Sequence, residues 1–132
     1  MNFMRVTWAM SAIVWLVIVV MACLFWGWPA LVVVLAFGLF PDIALIGGFA
    51  ERGRLKPDRV KLYNTLHITT WPIVTIVLGV IIMFVTGGFE GGFWALALGG
   101  VAWFVHIALD RALGFGLRDA DGTIIPVGLE FS

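Results

Sequence analysis

The sequence is poor in charge. Between Val6 and Pro41 there is no Asp, Glu, Lys or Arg at all, and charged residues make up only 12% of the chain, about half the share of a soluble domain. Lysines and arginines number 8 and acids 8. A formal net charge of zero gives no overall field that points to nucleic acid, and no nucleic-acid partner is expected. A single cysteine, Cys23, excludes an internal disulfide and carries no compartment signal. There is one tyrosine, Tyr63, and there are only two histidines, His67 and His106. With so few titratable groups, their placement carries most of the information.

In their place stand apolar residues, 62% of the chain, with seven Trp and eleven Phe. Mean hydropathy is +1.09. A single helix over Val6–Pro41 would be about 54 Å long, whereas the hydrocarbon core of a bilayer is about 30 Å thick. The run must therefore fold back once. Trp26-Gly27-Trp28-Pro29 supplies the break, because Gly tolerates the turn, Pro suits the first helical turn and Trp favours the interface.

This reading predicts an all-α membrane protein, a four-transmembrane-helix bundle in a single integral membrane domain spanning 1–132. The helices fall at about 6–26, 29–49, 61–86 and 93–117. A polar loop covers about 50–60, the Gly87-Gly88-Phe89-Glu90-Gly91-Gly92 turn separates the last two spans, and a tail follows over 118–132. Arg5, the loop cations Arg52, Arg54, Lys56, Arg59 and Lys61, and Arg118 fall on one side; the other side holds only Glu90. The positive-inside rule then puts both termini in the cytoplasm, N-in/C-in. The basic loop reads first as this topology signal and second as an anionic-lipid site. Val20-Met21-Ala22-Cys23 imitates a lipoprotein cleavage box, but Leu24-Phe25-Trp26 continues the span, so Cys23 reads as a packing residue.

A charged group at the bilayer centre costs about 2.5–3.5 kcal/mol on insertion scales, and such residues face the bundle interior and find partners. Asp42 on the second helix, Tyr63, Asn64 and His67 on the third, and His106, Asp110 and Arg111 on the fourth fall at one depth, in the cytoplasmic half. His106 and Asp110 are i,i+4, as are Tyr63 and His67, so each pair shares a face. Arg111 is expected to pair with Asp42 or to snorkel to the headgroups. Pro41 and Pro72 are expected to kink their helices and free carbonyls in or near this layer. Ala95 with Gly99, and Ala108 with Ala112, read as small pairs for close helix packing.

The polar layer is open to three readings. One is a structural hydrogen-bond and ion-pair network. Another is a divalent metal site, Zn for example, built from Asp42, His67, His106 and Asp110. The third is acid–base chemistry or proton movement, with His67, His106 and Asp110 as catalytic candidates. The purely apolar outer half of the spans weighs against a continuous proton path.

Phe40-Pro41-Asp42, Tyr63-Asn64-x-x-His67 and His106-Ile107-x-Leu109-Asp110-Arg111-Ala112-Leu113-Gly114-x-Gly116-Leu117 together resemble a family of small bacterial membrane proteins, the domain of unknown function 4260, over about 28–128. The resemblance implies a four-helix protein of a bacterial inner membrane and no particular activity. One departure stands out. Where the family's tail commonly carries a Thr-His-Leu-Gly-like stretch, this chain has Ile125-Pro126-Val127-Gly128.

Two functions are therefore expected. The first is a small accessory or structural subunit of a larger membrane complex, of respiratory or photosynthetic type by analogy, with the lipid bilayer and other membrane subunits as partners. The alternative is a membrane-embedded metal-dependent hydrolase, or another enzyme, that uses the Asp/His/His/Asp layer.

Overall fold

A computed structural model describes residues 2–127. The first helix, α1, is Phe3–Trp26. Its start is set by Asn2, whose side chain accepts from the Arg5 backbone N–H at 2.9 Å, so it begins three residues before the expected position. Gly27, with φ +80°, ends α1 and opens α2, Trp28–Leu39. Only a residue without Cβ holds that turn at little cost.

The second span is shorter than expected. At Pro41 the α-helix tightens into a 3-10 segment, Phe40–Leu45, because proline cannot donate to the carbonyl of Phe37. The chain then leaves the helix at Ile46, not at 49. The expected loop is structured: β1 (Phe49–Glu51) and β2 (Arg54–Leu55) form an antiparallel hairpin, closed by an Arg54–Glu51 ion pair at 2.7 Å. Arg59 donates to the carbonyls of Ala44 and Ile46 at 3.3 and 2.9 Å. It satisfies the end of the 3-10 segment, a structural task beyond its topological charge.

The third span is two helices, α3 (Pro57–His67) and α4 (Thr70–Thr86). It starts at Pro57 and not at 61, and it breaks at Ile68-Thr69. Pro72 causes the break, since it has no N–H for the Ile68 carbonyl and its ring crowds that oxygen. Trp103 and Arg111 take two of the freed carbonyls. The Trp103 indole donates to Leu66 at 2.7 Å and the Arg111 guanidinium to His67 at 3.2 Å. A short helix, α5 (Gly88–Gly91), lies in the glycine-rich turn, and α6 is Ala95–Ala112. Its end comes five residues earlier than expected, where Gly114 adopts φ +96°.

Four of these segments, Phe3–Trp26, Trp28–Leu45, Pro57–Thr86 and Ala95–Ala112, are long and apolar enough to cross a membrane. The chain is thus a helical protein with four membrane-span-like segments. Within its apolar window α6 is 61% buried while each of the others is 17% buried, which makes α6 the central post against which α1, α2 and α4 pack. Small residues allow the approach. A Cβ on Gly79 would fall on the backbone of Ala97, and Gly99 leaves room for the Phe37 ring. At the turn end, Trp26 stacks on Trp94 (4.9 Å, 8°) and donates to the Phe89 carbonyl at 2.8 Å.

At the hairpin end the tail folds back over the chain. Leu55 donates to the Gly122 carbonyl at 3.0 Å, Ile125 to Leu117 at 2.8 Å, and Arg118 bridges to Ile124. Thr123 donates to the Asp121 carboxylate through its hydroxyl and its backbone N–H at 2.6 and 3.0 Å. These bonds hold that carboxyl below the usual carboxylate range. Val127 is buried; Gly128 and the rest of the expected tail, to 132, lie outside the described residues.

Candidate functional site

Three elements deliver four ligand-type side chains to the hairpin end. The 3-10 segment after the Pro41 break presents Asp42, the last turn of α3 presents His67, and one face of α6 presents His106 and Asp110. One ligand atom from each lies within 4.8 Å of every other. The Nε2 atom of His67 is 3.5 Å from Asp42 Oδ1 and 3.3 Å from Asp110 Oδ2. The Nε2 atom of His106 is 3.1 Å from Asp42 Oδ1 and 3.2 Å from Asp110 Oδ2. Donor atoms held about 2.0–2.2 Å from a divalent ion such as zinc lie about 3.3–3.6 Å apart in tetrahedral geometry, and the four N–O spacings, 3.1–3.5 Å, lie near that range.

The other ring nitrogens are already committed. His67 Nδ1 lies 2.8 Å from the Tyr63 carbonyl, and His106 Nδ1 lies 2.7 Å from the Gly38 carbonyl. A carbonyl oxygen only accepts, so both Nδ1 atoms carry a proton. In a neutral ring the Nε2 atom is then a bare lone pair, and four acceptors face one another. Such a group needs either a cation at its centre or a second proton on each ring. His67 Nε2 is buried without a hydrogen-bond partner, and a buried polar atom left so is costly. Two carboxylates and two neutral imidazoles carry a charge of −2, which a divalent ion neutralises.

Exposure differs around the ring. His67 is 3% exposed and His106 13%, while Asp110 is 24% and Asp42 44% exposed. The histidines form the closed floor and the carboxylates the open side.

The remaining members of the expected layer do other work. Tyr63 stacks on His67 with ring centroids 3.9 Å apart and planes 13° from parallel. Asn64 faces away from the quartet and clamps the tail. Its amide nitrogen donates to the Arg118 carbonyl at 2.9 Å and its oxygen accepts from the Arg118 N–H at 2.8 Å. Arg111 does not snorkel. It is 1% exposed, because α6 is surrounded, and its guanidinium lies 4.8 Å from the Trp8 ring centroid.

Arg118, expected from the sequence as one of the cations on one side, has a structural role that the sequence did not show. It is buried, lies 5.2 Å from the Tyr63 ring centroid and donates to the Gly53 and Gly122 carbonyls at 3.0 and 3.1 Å. Stacked in order, Arg118, Tyr63 and His67 form a column behind the quartet. No local spacing signals it, since 55 residues of sequence separate Arg118 from Tyr63.

A family model, that of the domain of unknown function DUF4260, matches residues 4–125. No curated protein and no solved structure matches the chain.

Proposed function

Because the chain belongs to the DUF4260 family, whose description names no activity, we propose its function from the site itself: a membrane-embedded divalent-metal protein of hydrolytic type, centred on Asp42, His67, His106 and Asp110. The observation that carries this reading is His67 Nε2, buried and without a hydrogen-bond partner among three other ligand atoms. Both imidazoles are fixed by backbone carbonyls in the tautomer that offers Nε2 to a metal, as metal-bound histidines characteristically are.

Two histidines and one carboxylate make the protein ligand set of hydrolytic zinc sites, which keep a further position open for water. His67, His106 and Asp110 fit that set. A divalent ion held there would lower the pKa of a bound water toward neutrality. Asp42, the most exposed of the four, faces the open side and serves as the base. Asp42 would take the proton of the water that attacks an ester centre and return it to the leaving alcohol.

Elemental analysis of the detergent-purified chain tests the reading. The expected result is close to one zinc, manganese or similar divalent ion per chain, lost in His67→Ala and in His106→Ala. A wild-type chain free of metal after expression with metal supplied would overturn it. The quartet would then be two imidazolium–carboxylate pairs that lock α3, α6 and the 3-10 segment together.

The hairpin end is assigned to the cytoplasm of a bacterial inner membrane, since Arg5, the hairpin and α3 cations and Arg118 belong to that end and Glu90 to the other. Thiol labelling checks this assignment. With Cys23 replaced by Ala, a cysteine at Lys56 should be protected from an impermeant reagent in intact cells, and one at Glu90 should react.

A second reading, an accessory subunit of a larger membrane complex, is favoured by the wide apolar face of α1, where Met10, Ile13, Met21, Leu24 and Phe25 stay exposed. Migration as a free 14.5 kDa chain after gentle detergent extraction from the native membrane would count against it.

A further inference from the structure

Beside the quartet, α1, α2 and α6 leave a groove of about 210 Å³. Its floor is apolar and closed, with Val19, Ala102 and Val105 buried. Leu16, Leu35, Leu39 and Leu109 form an exposed rim. Along α6 the lining runs from Ala102 to Leu109, roughly 10 Å of helix axis. Every lining side chain but one is apolar, and the exception is His106.

Gly38 links the groove to the site. A Cβ there would meet nothing within 4 Å, so the missing side chain leaves open space in the groove wall. The carbonyl of the same residue holds His106 Nδ1 at 2.7 Å.

We propose that this groove holds the acyl or prenyl tail of a membrane lipid and brings the lipid's polar head to the Asp42–Asp110 opening of the quartet. The substrate class is therefore an amphiphilic lipid ester presented from within the bilayer. This inference rests on the reading of the quartet as a metal centre.

Two points select a lipid tail as the occupant. The rim residues belong to membrane-span-like segments, so the medium that meets the groove is hydrocarbon chain. The groove holds about 210 Å³, room for a stretch of hydrocarbon chain and not for the volume of a helix about 10–12 Å across with its side chains. A polar head then matches the site, because His106, which lines the groove, lies 3.1 and 3.2 Å from the more exposed carboxylates of Asp42 and Asp110.

Photolabelling tests the inference. The full chain is placed in nanodiscs of phosphatidylethanolamine and phosphatidylglycerol containing a small fraction of phospholipid with a diazirine-bearing tail. After irradiation, labelled residues are mapped by mass spectrometry, and metal per chain is measured on the same samples. Labelling should concentrate on Val34, Leu35, Val105 and Leu109. It should fall at least ten-fold in Gly38→Phe, which fills the groove, and fall clearly in Leu35→Trp, a rim change that leaves the fold and the metal in place.

Labelling of the groove no denser than that of Phe84 and Val85, exposed on α4, would overturn the proposal. So would labelling unchanged by both substitutions. A groove that labels as expected on a wild-type chain without metal would overturn the metal centre alone, so the two failures are distinct.

Discussion

His67 and His106 point their Nε2 atoms at the same two carboxylates, each 3.1–3.5 Å away, although they come from different helices. The convergence has a direct consequence for stability. With no cation at the centre, the acceptors repel one another or the rings must take up protons. A divalent ion held there would remove that conflict, and it would bind only the folded chain. Treatment with a strong chelator should therefore lower the melting temperature. The loss should be on the order of 2.7 kcal/mol when free metal had stood at about a hundred times its dissociation constant. Thermal unfolding followed by circular dichroism, with and without metal restored, measures this. Equal melting curves in both conditions would contradict the metal reading.

Tyr63 tests how the ligand is oriented. Its ring lies flat on His67, while its hydroxyl reaches the Gly116 carbonyl only at 3.4 Å. Tyr63→Phe keeps the ring and should leave metal affinity within a few-fold of wild type. Tyr63→Ala removes the stack and should weaken metal binding about 10–100-fold, the usual penalty for loss of an outer-sphere partner. Competition with a metallochromic dye reads both variants.

Trp103 serves the broken third span. Its indole satisfies the Leu66 carbonyl at 2.7 Å, an acceptor that helix α3 can no longer bond because it ends one residue later. Trp103→Phe retains the bulk but strands that carbonyl, and should destabilise the fold by about 1–3 kcal/mol. Chemical unfolding in detergent is the measurement, and no change would mean that water or lipid headgroups reach Leu66.

Glycines on the packed and open faces should behave in opposite ways. Gly79→Ala puts a methyl group on the Ala97 backbone and should cost about 1–3 kcal/mol by forcing α4 from α6. Gly38→Ala meets open space and should gain a few tenths to about 1 kcal/mol from helix propensity. Their melting temperatures should move in opposite directions.

Asn64→Ala should free the tail without unloading the site. The variant loses both bonds to the Arg118 backbone, while the quartet residues keep their elements. Limited proteolysis should cut within 118–127 several-fold faster, with metal content unchanged. A fall in metal to match would show that the tail and the quartet are one unit.

The first helix, the reversal at Gly27 and the presence of four apolar segments follow from quantities that are local in sequence. Run length against bilayer thickness, a Gly-Trp-Pro break and the distribution of charge need no knowledge of what touches what. The depth shared by Asp42, His67, His106 and Asp110 follows the same way, from counting residues along helices. Helix ends were less legible. Pro41 and Pro72 were visible as kinks, but how far each break would tighten or interrupt the chain depends on which partners take the freed carbonyls. At the Pro72 break those partners, Trp103 and Arg111, lie on α6, and near the Pro41 break His106 of α6 meets the Gly38 carbonyl.

Tertiary structure alone decided the roles of neighbours that look alike in sequence. Asn64 and His67 share a helix and a polar character, yet one clamps the tail and the other joins the quartet. Arg111 and Arg118 are both cations near the end of the chain, and both are buried in different tasks. The reason is physical. Composition and spacing set where a residue lies along its helix, but the rotation of each helix about α6 and the path of the chain after its last turn set what it faces. Those depend on packing among residues far apart in the chain.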